Sequence, residues 1–509
     1  MMPNVGICDM ALYVPKLYLS IEELANARDL EYAKLNKGLG LEQMRLPDIH
    51  EDAATMAANA IFELIEKNQL NPTEIGRIYL GTESALDGAK PTATYVLEML
   101  RQKYADTYGE DCFRNCDVVD LVFACVGAID ALHNTLDWVR GRENRKAIVV
   151  ASDYAKYELA SGGEYTQGAG AVAMLVKQNP RLIVIDDVVG VATQGVHDFF
   201  KPRRTISKRE LLQEVSELVG DPNYRVDDLM AKLPAKMTGE GVLNSNDEIV
   251  EIFKETPVFD GQYSNLMYQN RIREAYEDFC AQQGDINGAE DNFIASWDRL
   301  VFHLPYAFHA KRIASELFMM SKKKDGSWAA FSENVLEEPK TEDYEDQDTY
   351  EGAKGKFLRS ITKTPEYQEF AKEKLEKAEK ASSLVGNMYA ASIFLAMMST
   401  LEKDLEEGNE LKDGTLGFVG YGSGSKSKVF HGKLQDTWRE VVTEFKVFDK
   451  LKRGTEIDYA TYEKLHRKQI NESINTPAEE FALVSISSEV NKTGARYYQW
   501  KQDKAVLVG

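Results

Sequence analysis

Alternating hydrophobic and polar positions divide the chain into short β-rich runs and longer segments with helical periodicity. In the first third, strands are predicted at 4–12, 77–84, 116–124, 146–154 and 169–177. Helices are predicted between them over 51–68 and 128–141, where apolar residues recur at helical spacing. This order of elements indicates an α/β fold with a buried sheet.

A similar alternation begins again after residue 180. Strands are predicted at 182–195, 299–305, 415–426 and 481–490, with helices between them. We therefore predict two related α/β halves, residues 1–180 and residues 181–509. Two stretches interrupt the second half, a polar and helical one at 204–256 and a highly charged one at 321–381. Both are predicted to form solvated faces or lids.

Composition restricts the classes of function. The chain has 61 Lys and Arg against 82 Asp and Glu, a net charge of −21, which argues against nucleic acid as a partner. The sequence has neither a secretory signal nor a long apolar run, so we expect a soluble cytoplasmic protein with no membrane partner. Five cysteines in 509 residues suggest reduced thiols. Cys112 and Cys116 have no second pair, so no metal is predicted.

One cysteine occupies a position suited to nucleophilic chemistry. Cys125 stands between an apolar strand and a helix in DLVFACVGAIDAL. The positive end of a helix dipole lowers the pKa of a thiol and favours the thiolate, which attacks thioesters. Taken alone, a cysteine after an apolar strand is more often a small buried side chain.

Three further segments offer a base, an imidazole and backbone donors. Glu83 and Asp87 follow a strand end in GTESALDGAKPT, where a carboxylate serves either a site or a helix cap. His303 lies in the apolar run RLVFHLP, where a lone histidine is more often a satisfied core residue. The glycine-dense VGYGSGSK lacks the Walker pattern, and its glycines favour close approach of backbone N–H groups to a ligand.

In their order along the chain, these motifs resemble the 3-hydroxy-3-methylglutaryl-CoA (HMG-CoA) synthase family. The matching segments are GTESALDGAK, the Ala-Cys pair at 124–125, the strand ending in Asp153, GAGAV at 168–172, and the motifs at 198–202, 258–264, 302–305, 386–389 and 421–424. The resemblance implies the five-layered α/β/α/β/α thiolase fold of two related halves. It also implies a homodimer that uses CoA thioesters as substrates and needs no cofactor.

The resemblance also implies roles for individual residues. Cys125 would take an acetyl group from acetyl-CoA, and Glu83 would remove a methyl proton from it. His303, assisted by Asn387, would polarise the acceptor acetoacetyl-CoA. Backbone N–H groups of Cys125 and Ser423 would hold the thioester oxygen, and hydrolysis would release HMG-CoA and CoA. Further substrate-binding residues are Tyr157, Gly386 and Lys311, and supporting residues are Asp87, Asp153 and Asp198.

The chain departs from the family pattern near the nucleophile. Val126 and Ile129 stand where Tyr and Thr are usual, Arg203 where Asp or Asn is common, and Phe308 in place of a basic residue. These changes leave the acceptor open. The leading hypothesis is an HMG-CoA synthase of the mevalonate pathway of isoprenoid biosynthesis. The alternatives are a β-branching homologue acting on a β-ketoacyl group bound to an acyl carrier protein, and a catalytically weak thiolase-fold binding subunit.

Overall fold

The computed structural model describes residues 3–221, 223–233, 248–287, 291–411 and 413–502. The strands of the N-terminal half are β1 (Val5–Tyr13), β2 (Leu17–Ser20), β3 (Gln43–Leu46), β4 (Ile75–Gly81), β5 (Asp117–Leu121), β6 (Lys146–Ala155) and β7 (Gly168–Gln178). Its helices are α1 (Ile21–Ala27), α2 (Tyr32–Leu39), α3 (Ala53–Asn68), α4 (Thr92–Tyr108) and α5 (Gly127–Arg140).

The C-terminal half begins with β8. Its strands are β8 (Ile183–Ile185), β9 (Gly190–Thr193), β10 (Phe199–Phe200), β11 (Arg203–Ser207), β12 (Ile249–Phe253), β13 (Val258–Phe259), β14 (Arg299–Phe302), β15 (Thr415–Gly422), β16 (Lys426–Leu434), β17 (Thr455–Glu456), β18 (Glu480–Ile486) and β19 (Arg496–Lys501). Its helices are α6 (Lys208–Val219), α7 (Val226–Met230), α8 (Gly261–Asn287), α9 (Phe293–Ser296), α10 (His309–Ile313), α11 (Ser315–Lys324), α12 (Trp328–Ser332), α13 (Gln347–Ile361), α14 (Pro365–Lys374), α15 (Glu376–Val385), α16 (Ser392–Glu406), α17 (Trp438–Thr443), α18 (Val447–Lys452) and α19 (Tyr459–His466).

Among the described residues, ten strands form one mixed sheet to which each half contributes five. The order is β14-β15-β16-β8-β1-β7-β6-β4-β5, and β9 pairs with β16. The two parts meet where β1 pairs with β8, with Gly6 opposite Val184. Gly6 permits this approach, because a Cβ there would lie 2.0 Å from the carbonyl oxygen of Ile183. The prediction of two α/β halves with a buried sheet agrees with this topology.

Helices outside and between the two parts of the sheet complete five layers. Helices α3 and α4 cover the outer face of the N-terminal part, and α5 packs on its inner face. On β15, Gly420 faces α5, since a Cβ there would meet the Ile129 side chain. Gly417 points to the opposite face and meets Trp297, which packs against Phe279 of α8. The layers are therefore α/β/α/β/α, as predicted.

Most predicted elements are present, with shifted ends. The predicted strand at 182–195 is two strands, because β8 and β9 pair with different parts of β16. The predicted strand at 481–490 is β18, which pairs with β19 outside the main sheet. Its Phe481 packs against Phe62 and Trp500, so the C-terminal hairpin covers the N-terminal half.

The two interrupting stretches differ from each other. The stretch at 204–256 contains the antiparallel strand pair β11–β12 as well as α6 and α7, and its residues 222 and 234–247 lie outside the described residues. The charged stretch at 321–381 is helical and has the exposed face that was expected, but it also contributes to the core. Its Phe357, Ile361 and Tyr367 are buried in the core of the C-terminal half. Within the described ranges, no helix has the length and apolarity needed to cross a bilayer.

Candidate active site

Glu83, Cys125 and Asp153 come together because three parallel strands end at the same edge of the sheet. Strand β4 is parallel to both β5 and β6, and Gly81 at its end is opposite Leu121 of β5. Glu83 and Cys125 follow these strand ends, and Asp153 lies near the end of β6. In α/β sheets such carboxyl ends form the usual place for a site.

Cys125 lies in a sharp turn between β5 and α5. Ala124, just before it, has a φ of 38°, a left-handed conformation that is strained for a residue with a Cβ atom. The turn is tight because the first residues of α5 rest directly on β4. A Cβ on Gly81 would lie 2.3 Å from the backbone of Ala128. The strained turn therefore presents the thiol at the sheet edge.

Glu83 and Cys125 form the central pair of the site. The Cys125 Sγ donates a hydrogen bond to Glu83 Oε1 at 3.0 Å. The Glu83 side chain is 5% exposed and Cys125 is 9% exposed. Burial raises the pKa of Glu83, and the charge of Lys201 partly opposes this rise. The carboxyl is thus shifted towards the working pH, as suits a general base.

The surroundings of Cys125 raise the pKa of its thiol. Burial is the largest cause, and the charges of Glu83 and Asp153 add to it. The expectation that the helix N-terminus lowers this pKa is therefore wrong, because desolvation and nearby carboxylates outweigh the helix dipole here. The resting thiol is protonated and needs a base to accept its proton.

Asp153 holds the turn that contains Glu83. Its Oδ1 accepts hydrogen bonds from the Glu83 backbone N–H at 2.7 Å and from the hydroxyls of Thr82 and Ser84 at 2.9 and 3.0 Å. Its Oδ2 accepts from the Ala390 backbone N–H at 3.0 Å. Burial and the charge of Glu83 raise the pKa of Asp153 to about 7. One carboxyl thus joins the Glu83 turn to the segment after Asn387.

Asn387 is held in the site because the glycine motifs at 168–172 and 386–389 are in contact. A Cβ on Gly168, at the start of β7, would lie 2.8 Å from the Asn387 nitrogen. Gly386 has a φ of 88°, and a Cβ there would lie 1.9 Å from the carbonyl oxygen of Gln167. The Asn387 Oδ1 accepts from the Tyr389 backbone N–H at 2.8 Å, which fixes the side-chain amide. The glycines are thus required for backbone approach.

Aromatic rings form an apolar wall beside the thiol. Tyr157 and Tyr389 belong to one buried cluster with Cys125, and Phe199 and Phe259 pack against it. Ring centroids are 5.4 Å apart for Tyr157 and Phe259, and 5.9 Å apart for Phe199 and Tyr389. Such a wall excludes water and strengthens the electrostatic interactions inside the site.

Asp198 fixes the loop that contains Ser423. Its Oδ1 accepts a hydrogen bond from the Gly424 backbone N–H at 2.8 Å. On the other side of Ser423, Gly422 packs against the turn after the nucleophile. A Cβ on Gly422 would lie 2.9 Å from the Val126 nitrogen. The Ser423 backbone is thereby held beside the turn of the nucleophile.

His303 lies at the end of a strand in the C-terminal part of the sheet. It follows β14, and its backbone N–H donates to the carbonyl oxygen of Val419 in the parallel strand β15 at 3.1 Å. The Tyr268 hydroxyl donates to the His303 carbonyl oxygen at 2.8 Å. Burial lowers the pKa of His303 to about 3, so the imidazole is neutral. Its Nδ1 has no hydrogen-bond partner among the described residues.

Tyr268 connects the imidazole to the remainder of the site. Its ring is nearly parallel to that of His303, with ring centroids 6.3 Å apart. The centroids of the Tyr268 and Tyr421 rings are 4.4 Å apart. Burial raises the pKa of Tyr268, and the charge of Cys125 adds to the rise. Tyr268 therefore packs against His303 and also interacts with the Cys125 thiol.

Two residues proposed from the sequence lie apart from this group. Lys311, in α10, pairs with Glu379 at 3.0 Å and lies 3.2 Å from the ring centroid of Phe308. Its ammonium group is therefore paired with a carboxylate of the protein itself. Asp87 is exposed and accepts two backbone N–H bonds of its own turn, each at 2.7 Å. It closes its own turn and is not the helix cap considered for that segment, because α4 begins at Thr92 with Pro91 at its N-cap.

Lys201 is a site residue to which the sequence analysis assigned no role. Its Nζ lies 3.9 Å from Glu83 Oε2 and donates to the Glu83 carbonyl oxygen at 3.2 Å. It also lies 4.6 Å from the ring centroid of Tyr389. A lysine inside the aromatic motif DFFKP is the sequence signal that could have drawn attention to it.

Comparison with known proteins identifies relatives over most of the chain. Family models described as hydroxymethylglutaryl-coenzyme A synthase N terminal and C terminal match residues 2–180 and 250–487. A hydroxymethylglutaryl-CoA synthase of Haloferax volcanii is 29% identical, over 95% of this chain and 97% of the relative. One of Enterococcus faecalis is 26% identical, over 97% and 99%.

Solved structures share the fold at lower identity. MvaS in complex with 3-hydroxy-3-methylglutaryl coenzyme A has a TM-score of 0.74 at 23% identity, covering 99% of this chain and 100% of that one. The HMG synthase of the curacin biosynthetic pathway, in complex with acetyl donor-ACP, has a TM-score of 0.69 at 19% identity, covering 98% and 100%. Both similarities support the thiolase-like architecture.

Proposed function

The chain belongs to the hydroxymethylglutaryl-coenzyme A synthase family, and we propose that it condenses acetyl-CoA with acetoacetyl-CoA to give HMG-CoA and CoA. Curated relatives named for this acyltransferase activity match nearly the whole chain. The single observation that best supports the proposal is the 3.0 Å hydrogen bond from Cys125 Sγ to Glu83 Oε1 beside an apolar wall. It pairs a nucleophile with a base that can serve both half-reactions.

The first half-reaction acetylates the thiol. Glu83 accepts the Cys125 proton, and the thiolate attacks the carbonyl carbon of acetyl-CoA. The tetrahedral intermediate collapses with loss of the CoA thiolate, which takes the proton back from Glu83 and leaves as free thiol. Glu83 is again a carboxylate beside the new thioester, ready for the second half-reaction.

The second half-reaction forms the carbon–carbon bond. Glu83 removes a methyl proton from the acetyl group, and backbone N–H groups of Cys125 and Ser423 stabilise the enolate oxygen. One such donor contributes roughly 3 to 4 kcal/mol. The enolate carbon attacks the ketone of acetoacetyl-CoA, and the resulting alkoxide recovers the proton from Glu83. Water then hydrolyses the Cys125 thioester, which releases HMG-CoA and restores the thiol.

His303 and Asn387 hold the acceptor during condensation. Because burial lowers the pKa of His303 to about 3, its imidazole acts as a neutral N–H donor over the working pH range. The Asn387 Oδ1 already accepts from Tyr389, so its amide protons serve the acceptor thioester. Tyr157 contributes apolar surface beside the acetyl group.

The test is CoA release by the purified protein with both substrates, together with intact mass after acetyl-CoA alone. We expect release and an acetyl adduct on the parent, and loss of both in Cys125→Ser. Cys116→Ser is the matched control, since that partly exposed thiol lies before β5 and is expected to retain activity. A Cys125→Ser protein as active as the parent would contradict the proposal.

We propose that the acceptor is linked to CoA rather than to an acyl carrier protein. The curated relatives that support this choice are named hydroxymethylglutaryl-CoA synthases. The test compares turnover of acetoacetyl-CoA with that of an acetoacetyl carrier protein. Faster turnover of the carrier-bound form would favour the β-branching alternative.

We also propose a cytoplasmic homodimer that needs no cofactor. Within the part of the chain that the structure describes, strand β5 is an edge of the main sheet, so its outer side can pair with a second copy close to Cys125. All five cysteines are free, which suits a reducing compartment. Light scattering should give twice the mass of one chain, and a chelator should leave turnover unchanged.

A further inference from the structure

We infer that Lys201 is a positioning residue that keeps Glu83 ionised and oriented for removal of the acetyl proton. The inference rests on the proposed function of Glu83 as the base. The Lys201 Nζ contacts Glu83 twice, at 3.9 Å from Oε2 and at 3.2 Å from the backbone oxygen. It therefore acts on the charge of the base and on the turn that carries it.

The electrostatic setting makes this cation important. The titratable groups that interact with Glu83 come from several elements: Cys125, Asp153, Tyr157, Asp198, Lys201 and Tyr389. Lys201 is the positively charged member of this set. It opposes the rise in pKa at Glu83, Cys125 and Asp153, which burial causes in each case. Removing it would favour the protonated carboxyl, which accepts no proton.

The position of Lys201 is fixed by its surroundings. Its side chain is 12% exposed, and its Nζ lies 4.6 Å from the ring centroid of Tyr389. A cation over an aromatic face is attracted to the ring quadrupole. Tyr389 belongs to the segment that contains Asn387, so Lys201 also links the base to the acceptor side of the site.

The test is the pH profile of kcat/KM for condensation in Lys201→Met, which keeps a side chain of similar length and removes the charge. We expect the acid limb to move up by about one pH unit. Turnover would then fall about tenfold on that limb and approach the parent value at higher pH. Lys201→Arg should restore the limb, because its charge can occupy the same place.

Lys450→Met is the matched control. Lys450 is also partly buried and also binds one backbone oxygen, that of Leu12, and one carboxylate, that of Glu63. We expect no change in the acid limb. An unchanged limb in Lys201→Met, or an equal loss of turnover at every pH, would overturn the inference.

A second readout needs no substrate. Lys201 opposes the rise in the pKa of Cys125, so Lys201→Met should slow alkylation of this thiol by iodoacetamide at a fixed pH above neutrality. If the parent protein fails to condense the two thioesters, the proposed function fails. The alkylation rates still decide the role of Lys201: equal rates in parent and variant would refute it.

Discussion

At the scale of single residues, burial sets the chemistry of the site. Burial raises the pKa of Glu83 and Cys125 and lowers that of His303 to about 3. The residue types were predictable from motifs, because motifs are local in sequence. Their protonation was not, because it depends on groups that approach from other elements, and the predicted direction for Cys125 was wrong for this reason.

Asp153 offers a test at this scale. Its two carboxylate oxygens accept four hydrogen bonds, from Thr82, Glu83, Ser84 and Ala390. In Asp153→Asn, an NH₂ group replaces one of these oxygens and cannot accept a hydrogen bond. At least one buried N–H or O–H group therefore loses its acceptor. We expect a loss of about 1 to 3 kcal/mol in unfolding free energy and at least tenfold in kcat.

Urea unfolding and steady-state kinetics measure these two effects. Asp87→Asn is the matched control, since Asp87 is exposed and lies in the same loop as Glu83. It should retain nearly all of the parent kcat. Parent-like kcat in Asp153→Asn would show that the Glu83 turn does not depend on this carboxyl.

At the scale of elements, glycines decide how segments approach one another. The motifs at 168–172 and 386–389 were recognised separately in the sequence. The structure places them in one contact, in which the start of β7 passes directly against Gly386 and Asn387. Their partnership joins residues more than 200 positions apart, and hydrophobic periodicity has no bearing on such pairs.

Gly168→Ala tests this contact. The added Cβ would lie 2.5 Å from the carbonyl oxygen of Val385 and 2.8 Å from the Asn387 nitrogen, so the segment must move. Overpacking of this kind costs about 1 to 3 kcal/mol. We expect that loss in urea unfolding and a rise in KM for acetoacetyl-CoA.

Gly162→Ala is the control, because a Cβ there meets no atom within 4 Å. It should match the parent in both stability and KM. Unchanged KM in Gly168→Ala would mean that the position of Asn387 is set elsewhere.

At the scale of the whole molecule, the Tyr13 hydroxyl hydrogen-bonds to two carboxyls and fastens the C-terminal hairpin to the first strand. The Tyr13 hydroxyl lies 2.6 Å from Glu51 Oε1 and 2.8 Å from Glu480 Oε2. A hydroxyl has one proton to donate, so a protonated carboxyl is needed to supply the second hydrogen bond. Burial raises the pKa of Glu51 to about 7, which makes it that carboxyl.

This junction predicts a dependence of stability on pH. In the unfolded chain a glutamate ionises near a pKa of about 4.3. Between that pH and about 7 the folded state therefore binds more protons, and stability falls as pH rises through this interval. The loss attributable to Glu51 is at most about 3 to 4 kcal/mol.

Glu51→Gln measures this contribution, because the amide can still accept from Asp48 and donate to the Tyr13 oxygen. Urea unfolding between about pH 5 and about pH 8 should show a smaller decline than in the parent. Equal declines in the two proteins would contradict the assignment of the second proton to Glu51.

By itself the sequence determined the alternation of strands and helices, the two halves, and the order of carboxylate, thiol and imidazole along the chain. The alternation follows from periodicity and turn chemistry, which act over a few residues, whereas the roles of the three site residues were implied by the resemblance to a family. Only the tertiary structure decided that Lys201 faces Glu83, that Lys311 forms an ion pair with Glu379, and that Asp87 accepts hydrogen bonds within its own turn. Those outcomes depend on distance and burial between segments far apart in sequence, where the dielectric and the partner of each charge are set by packing.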